Sequence, residues 1–230
     1  MKEKLCKVLM GISLGLIVIW IILFFSREDN TGIASSILGV ISMGCLFASS
    51  WSSLRQIRKT RYQDIYFAGG CFWGTEKYFK LVKGVVETEV GYANGNTESP
   101  TYEQVYTDTT GYAECVHVRF DTEVTTVRRL TEMYFKAIDP TSVNQQGEDT
   151  GTRYRTGVYY VDPEKQGVGS ILKQVFEEQS RIYGNIAVEL MPLKNFVRAE
   201  DYHQDYLDKN PDGYCHLSPE LFEYAKQQGR

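Results

Sequence analysis

At 230 residues the chain has room for one catalytic-sized domain and a smaller companion, and 43% hydrophobic with 23% charged residues rules out disordered and collagen-like sequence. From Tyr62 onward 17 Lys and Arg stand against 26 Asp and Glu, a formal charge of −9, while the residues before carry +5. An acidic piece of this size repels phosphate backbones, which argues against nucleic acid as a partner. Five cysteines without a Cys-x-x-Cys pair argue against a disulfide-stapled secreted domain and against a structural zinc site.

The apolar residues crowd the first fifty positions. Val8 to Ser26 contains no charge and reads as a spanning helix. After the polar break Arg27-Glu28-Asp29-Asn30 a second uncharged run, Thr31 to Leu54, contains Ala34, Gly39, Gly44 and Ala48, small residues that let two helices pack closely. Lys2, Lys4 and Lys7 precede the first run, and Arg55, Arg58, Lys59 and Arg61 follow the second. The expectation is a two-helix transmembrane hairpin over 1–61, anchored in the cell membrane, with both ends and the rest of the chain in the cytoplasm. A cleaved signal peptide fits less well, because the first run is long for such a segment and no small-x-small site follows it.

From Asp64 the pattern changes. Ile65 to Ala68 reads as a short strand, Gly69-Gly70 as a turn, and Phe72 to Leu81 as a helix. Val86, Thr88 and Val90 alternate as a strand, and so do Val116, Val118 and Phe120, with His117 and Arg119 on the opposite face. Helical spacing returns at Val127, Leu130 and Tyr134 and again at Ile171 and Val175, with strands predicted over 154–161 and 186–190. The mixture lacks a strict βαβ rhythm, so residues 62–230 are expected to form one α+β domain with helices against a mixed sheet.

Cys71 follows two glycines and opens a helix, where backbone N–H groups and the helix dipole favour a thiolate. It is a candidate nucleophile, although a buried structural thiol is the commoner fate of a cysteine. Phe72 and Trp73 are placed to wall an apolar pocket beside the sulfur. Glu114 shares a strand face with Val116, Val118 and Phe120, and a desolvated carboxyl stays protonated and can donate. A strand-edge carboxylate in a salt bridge is the even alternative. The sixteen tyrosines are core residues by default, and spacing singles out none of them. His117 lies on the face opposite Glu114, while His203 and His216 are expected on a surface helix and a turn. Cys215, in Asn210-Pro211-Asp212-Gly213-Tyr214-Cys215, is expected to be mobile and exposed, able to travel to another thiol. Cys115 and Cys45 are assigned to packing and Cys6 to the membrane edge.

Gly70-Cys71-Phe72-Trp73-Gly74 resembles the signature of peptide methionine sulfoxide reductase A. Further blocks follow in the family's order: Gly91-Tyr92, Ser99 to Val105, Thr110 to Glu114, Asp139-Pro140, Gln146 to Arg155, Ala199 to Gln204 and Asn210 to Cys215. The resemblance spans Ile65 to His216 and implies a two-layer α/β sandwich around a mixed sheet. It implies an oxidoreductase of protein repair under oxidative stress that reduces methionine S-sulfoxide in oxidised proteins or peptides. By the same resemblance Cys71 is the nucleophile, Glu114 the acid, Tyr102 and Tyr154 the hydroxyls on the sulfoxide oxygen, and Asp149 a substrate-positioning carboxylate. Phe72 and Trp73 take the methyl group. Cys71 is left as sulfenic acid, Cys215 resolves it to a disulfide, and thioredoxin is the reductant. No metal and no other cofactor is implied. The chain departs from the family at Tyr112, where His is usual, and at Cys115, where a small apolar residue is usual, so that a second thiol adjoins Glu114.

Two other classes compete with this reading. One is a general thiol-disulfide oxidoreductase or thiol peroxidase using Cys71 and Cys215 without a sulfoxide pocket; the other is a binding module for oxidised methionine.

Overall fold

The computed structural model describes residues 2–25, 33–164 and 167–228. They fall into two compact units, Met1–Arg61 and Tyr62–Arg230.

The first unit is a pair of helices, α1 (Lys2–Phe25) and α2 (Ile33–Arg61). Glu3 binds Lys7 at 2.9 Å one turn on, and its other oxygen lies 3.3 Å from Arg61, so the start of α1 lies beside the end of α2 in an antiparallel hairpin. The polar break at 27–30 lies outside the described residues. The transmembrane expectation is corrected here: among the described residues no helix is long and apolar enough to cross a membrane. In α1 the described residues open on Lys2, Glu3, Lys4 and Lys7, which leaves only Val8 to Phe25 uncharged, at the lower end of the roughly 17 to 25 residues a hydrocarbon core requires. In α2 the apolar residues alternate with serines, such as Ser42 and Ser49, which bond back to the carbonyls of Gly39 and Leu46, and the last two turns are basic. The spanning hairpin, the membrane as a partner and the cytoplasmic orientation derived from the flanking charges all fall with it.

The second unit is built on a six-stranded mixed sheet. Its strands are β1 (Tyr62–Gly69), β2 (Val85–Ala93), β3 (Ala113–Asp121), β6 (Thr156–Tyr160), β7 (Glu189–Pro192) and β8 (Phe196–Arg198), in the spatial order β7-β6-β1-β3-β2-β8. All neighbours run antiparallel except β6 and β7. Two short strands, β4 (Gln145–Gln146) and β5 (Asp149–Thr150), form a separate hairpin. Period-two alternation sorts β3: Glu114, Val116, Val118 and Phe120 face one way, Cys115 and His117 the other. The first face joins one large core with Ile65, Phe67, Val90 and Tyr92 under the helices α3 (Phe72–Lys80), α5 (Val127–Ala137), α6 (Val168–Tyr183) and α8 (Pro219–Gln227). Two shorter helices are α4 (Tyr102–Tyr106) and α7 (Tyr206–Lys209). On the other face Ala68, Ala93, Ala113, Cys115 and Tyr159 form a small second cluster under Tyr66, Met191, Leu193 and Phe196. This is the expected layer of helices on a mixed sheet.

The order of strands positions the site. The end of β1 lies beside the start of its antiparallel neighbour β3, where Glu114 stands, and the chain leaves β1 through Gly69-Gly70 into α3. Gly70 has φ +75°, a left-handed conformation that a side chain resists, and a Cβ there would lie 2.6 Å from Gln146. That turn sets Cys71 directly above the sheet at the mouth of the helix.

Candidate active site

Cys71 is the N-cap of α3, 6% exposed. A helix start was expected to depress its pKa, and the Trp73 backbone N–H does bond the sulfur, but burial and the nearby Glu114 outweigh it and push the thiol well up. The resting sulfur is therefore a thiol. Glu114 projects from β3 under the same helix start, and its Oε2 accepts the Phe72 backbone N–H at 3.0 Å. Only 2% of the residue is exposed, and burial pushes the carboxyl up to about 8 against the pull of that N–H and of Arg153. It is neutral at neutral pH and carries a proton.

Two tyrosines approach from different elements. Tyr102 opens α4, held there by the Thr101 and Gln104 capping box and by its own N–H on Glu200 Oε1 at 2.9 Å. Tyr154 closes the tight turn Thr152–Tyr154 before β6 rather than lying in a strand. Burial and the proximity of Glu114 raise both hydroxyls, so both keep their hydrogens. Arg153 spans this side, 4.1 Å from the Tyr106 ring centre and 4.4 Å from that of Tyr154, and is paired with Asp108 at 2.6 Å. Asp149 comes from β5; its Oδ2 is buried and has no hydrogen-bond partner among the described residues.

The aromatic wall extends beyond Phe72 and Trp73. Phe72 is buried, with ring centres 6.0 Å from Tyr92 and 5.0 Å from His203. Trp73 stacks on Tyr206 of α7 at 3.7 Å, and its indole N–H donates to His203 Nδ1 at 3.2 Å. The ring of Tyr102 lies 4.6 Å from that of His203. His203 is thus a 1% exposed residue at the centre of the pocket wall, not a surface residue. Burial lowers its pKa, which leaves Nδ1 free to accept.

The C-terminal segment also differs from expectation. Cys215 is half-buried, and a Cβ on Gly74 would lie 3.0 Å from its sulfur, so this thiol rests against the first turn of α3. His216 beside it bonds the Gly69 carbonyl from Nε2 at 3.1 Å. Both cysteines are free thiols. Cys115 is fully buried on the other face of the sheet, among the small residues of the second cluster. The structure gathers all eight sequence-predicted residues around the start of α3.

Known proteins match the chain in sequence and in fold. Residues 63–229 match the family model of peptide methionine sulfoxide reductase. The chain belongs to the peptide methionine sulfoxide reductase family. It is 55% identical over 161 residues to the peptide methionine sulfoxide reductase MsrA of Clostridium acetobutylicum, covering 70% of this chain and 98% of that one. To the MsrA of Mycoplasma pneumoniae it is 50% identical over 156 residues, 67% of this chain and 98% of the relative. Among solved structures, reduced Mxr1 from Saccharomyces cerevisiae superposes with a TM-score of 0.63 at 39% identity, over 69% of this chain and 92% of that one. Methionine sulfoxide reductase A of Corynebacterium diphtheriae follows at 0.62 and 38%, over 67% and 77%.

Spacing alone had not singled out His203, Tyr206, Tyr214, His216 and Arg153. Arg153, His203 and Tyr214 stand inside the recognised blocks, but only the packing of the C-terminal segment onto α3 brings the last of them to the sulfur. Burial, with help from a hydrogen bond to Asp149, raises the Tyr214 hydroxyl. Among the described residues no group of three or more His, Cys, Asp and Glu is placed to hold a metal ion.

Proposed function

We propose that the chain reduces the S epimer of methionine sulfoxide in oxidised proteins and peptides, with Cys71 as nucleophile and Glu114 as acid. Cys71 attacks the sulfoxide sulfur while Glu114 gives its proton to the oxygen, which becomes a neutral hydroxyl rather than an oxide that sulfur releases only at prohibitive cost. The thiol proton replaces the one Glu114 has given. The new sulfur–sulfur bond and the methionine sulfur–oxygen bond then break as the hydroxyl passes to Cys71: methionine leaves, Cys71 is left as sulfenic acid, and two electrons have passed from the cysteine to the substrate. Tyr102 and Tyr154 hold the oxygen, Phe72 and Trp73 take the methyl group, and the unpaired Oδ2 of Asp149 accepts from the substrate backbone. Cys215 attacks the sulfenic acid, and thioredoxin reduces the resulting disulfide.

The observation that carries this reading is Glu114: a fully buried carboxyl, neutral up to about pH 8, tied to the residue that follows Cys71. Thiol–disulfide exchange expels a thiolate, a far better leaving group than the sulfoxide oxygen, and depends far less on such an acid. The test gives the purified chain peptides with S- or R-sulfoxide, thioredoxin, its reductase and NADPH. Oxidation of NADPH with the S epimer alone is expected; turnover of the R epimer, or of neither, would defeat the proposal.

A further inference from the structure

The C-terminal segment brings in a histidine that reduction of the sulfoxide does not use. His216 Nε2 lies 3.1 Å from the Gly69 carbonyl, and a carbonyl only accepts, so Nε2 carries the hydrogen. Burial holds the imidazole below the usual histidine range, so the ring is neutral and Nδ1 is a bare lone pair. That nitrogen is buried and has no hydrogen-bond partner among the described residues. An acceptor left so has lost its hydration with nothing in return, which makes it an unusual feature for a group that only packs. The ring lies across the turn that delivers Cys71: a Cβ on Gly70 would come within 3.3 Å of Nε2. A Cβ on Gly74 would meet Nδ1 at 3.3 Å and the Cys215 sulfur at 3.0 Å. The missing side chain of Gly74 therefore leaves the space that the bare nitrogen and the second thiol both border, one turn after Cys71.

We propose that His216 is the base that takes the Cys215 proton as Cys215 attacks the Cys71 sulfenic acid, an inference that rests on Cys215 as the resolving thiol. A sulfur–sulfur bond forms and the sulfur–oxygen bond of Cys71 breaks. The oxygen takes a proton from Glu114 and leaves as water, and the proton on Nδ1 makes good the one Glu114 has lost. Both sulfurs end oxidised as the disulfide, and no outside oxidant enters. The need for a base follows from burial, which raises the Cys215 thiol and leaves little thiolate at neutral pH. The titratable and charged groups about His216 are Asp149 from β5, Cys215 beside it, and Cys71 and Tyr214, which interact with the same carboxylate.

The experiment follows one turnover with a methionine S-sulfoxide peptide, sampled by acid quench and mass spectrometry for methionine, sulfenic acid and disulfide. In His216→Gln the amide nitrogen can still donate to the Gly69 carbonyl, but no base stands in place of Nδ1. Disulfide formation should slow by about 100-fold or more relative to methionine release, and sulfenic acid should accumulate. Up to about pH 8, where Glu114 still holds its proton, its rate should rise about tenfold per pH unit, since attack must then await free thiolate, whereas the parent rate should be nearly flat between about pH 7 and 8. In His216→Ala, added imidazole should recover part of the loss. A parental rate and pH profile in His216→Gln would overturn the proposal, and so would an equal loss of methionine release, which marks a structural role. Cys215→Ser separates the two layers: if it still forms the thioredoxin-reducible disulfide, Cys215 is not the resolving thiol, whatever His216 does.

Discussion

Alternate residues of β3 build both faces of the sheet, and the two faces treat a titratable group in opposite ways. On the face under α3, Glu114 is enclosed with one backbone N–H at 3.0 Å and is kept neutral to about pH 8. On the other, His117 stacks on Tyr66 and meets Asp64 at 2.9 Å, both side chains partly open to water. Cys115, one residue from Glu114, is packed among alanines and Tyr159, and burial only makes its thiol harder to ionise. The reactive face differs because a glycine turn, a helix start and the C-terminal segment all converge there, leaving polar groups enclosed but incompletely partnered. On the opposite face Ala68, Ala93, Ala113 and Cys115 pack with Tyr159 under Tyr66, Met191, Leu193 and Phe196.

The sharpest way to break this contrast is to exchange the thiols. Cys215→Ser should release about one methionine per chain and then stop, with thioredoxin-driven turnover falling to background, because the sulfenic acid has no partner. Cys115→Ser should keep thioredoxin turnover. The reverse result in steady-state NADPH assays would move the resolving role to the other face.

Glu114→Gln should lower turnover with sulfoxide by about 10²- to 10⁴-fold, the usual contribution of a positioned acid. Parent turnover should fall as pH rises through about 8, where the carboxyl loses its proton. The folded carboxyl holds its proton above the ordinary 4.5, so it destabilises the fold increasingly between about pH 4.5 and 8. Urea unfolding should find Glu114→Gln gaining on the parent over that range, by on the order of 3 kcal/mol at pH 7. No gain would mean that Glu114 is ionised in the fold.

Trp73→Ala removes the ring that stacks on Tyr206 and bonds His203. Its KM for the sulfoxide peptide should rise about tenfold, as for loss of an apolar contact and a hydrogen bond. Unchanged kinetics in a folded protein would move Trp73 out of the pocket. His117→Ala is the smallest change expected: about 0.5 to 1.5 kcal/mol of stability in urea and no effect on turnover, since it breaks a partly exposed hydrogen bond to Asp64 on the other face.

Local patterns carried much of the domain. Period two put Glu114 on the core face, Gly69-Gly70 marked the turn, and helical spacing placed α3, α5 and α6 where they are found. Shorter elements were less legible. Tyr154 belongs to a tight turn and β6 begins only at Thr156; β7 starts at Glu189, and β8, with three residues, has no periodicity to read. In the first unit the two uncharged runs predict spanning helices, yet among the described residues no helix is long and apolar enough to cross a membrane.

By itself the sequence determined the acidic balance after Tyr62, the strand faces, the glycine turn before Cys71 and the blocks that resemble the family. These depend on neighbours within a few positions or on residues readable in order. Only the tertiary structure decided that burial outweighs the helix start at Cys71, and that Cys215 and His216 dock against Gly74 rather than move freely. It alone also brought His203 into the pocket wall. Those outcomes depend on desolvation and on contacts between segments more than a hundred residues apart, and a one-dimensional pattern contains neither.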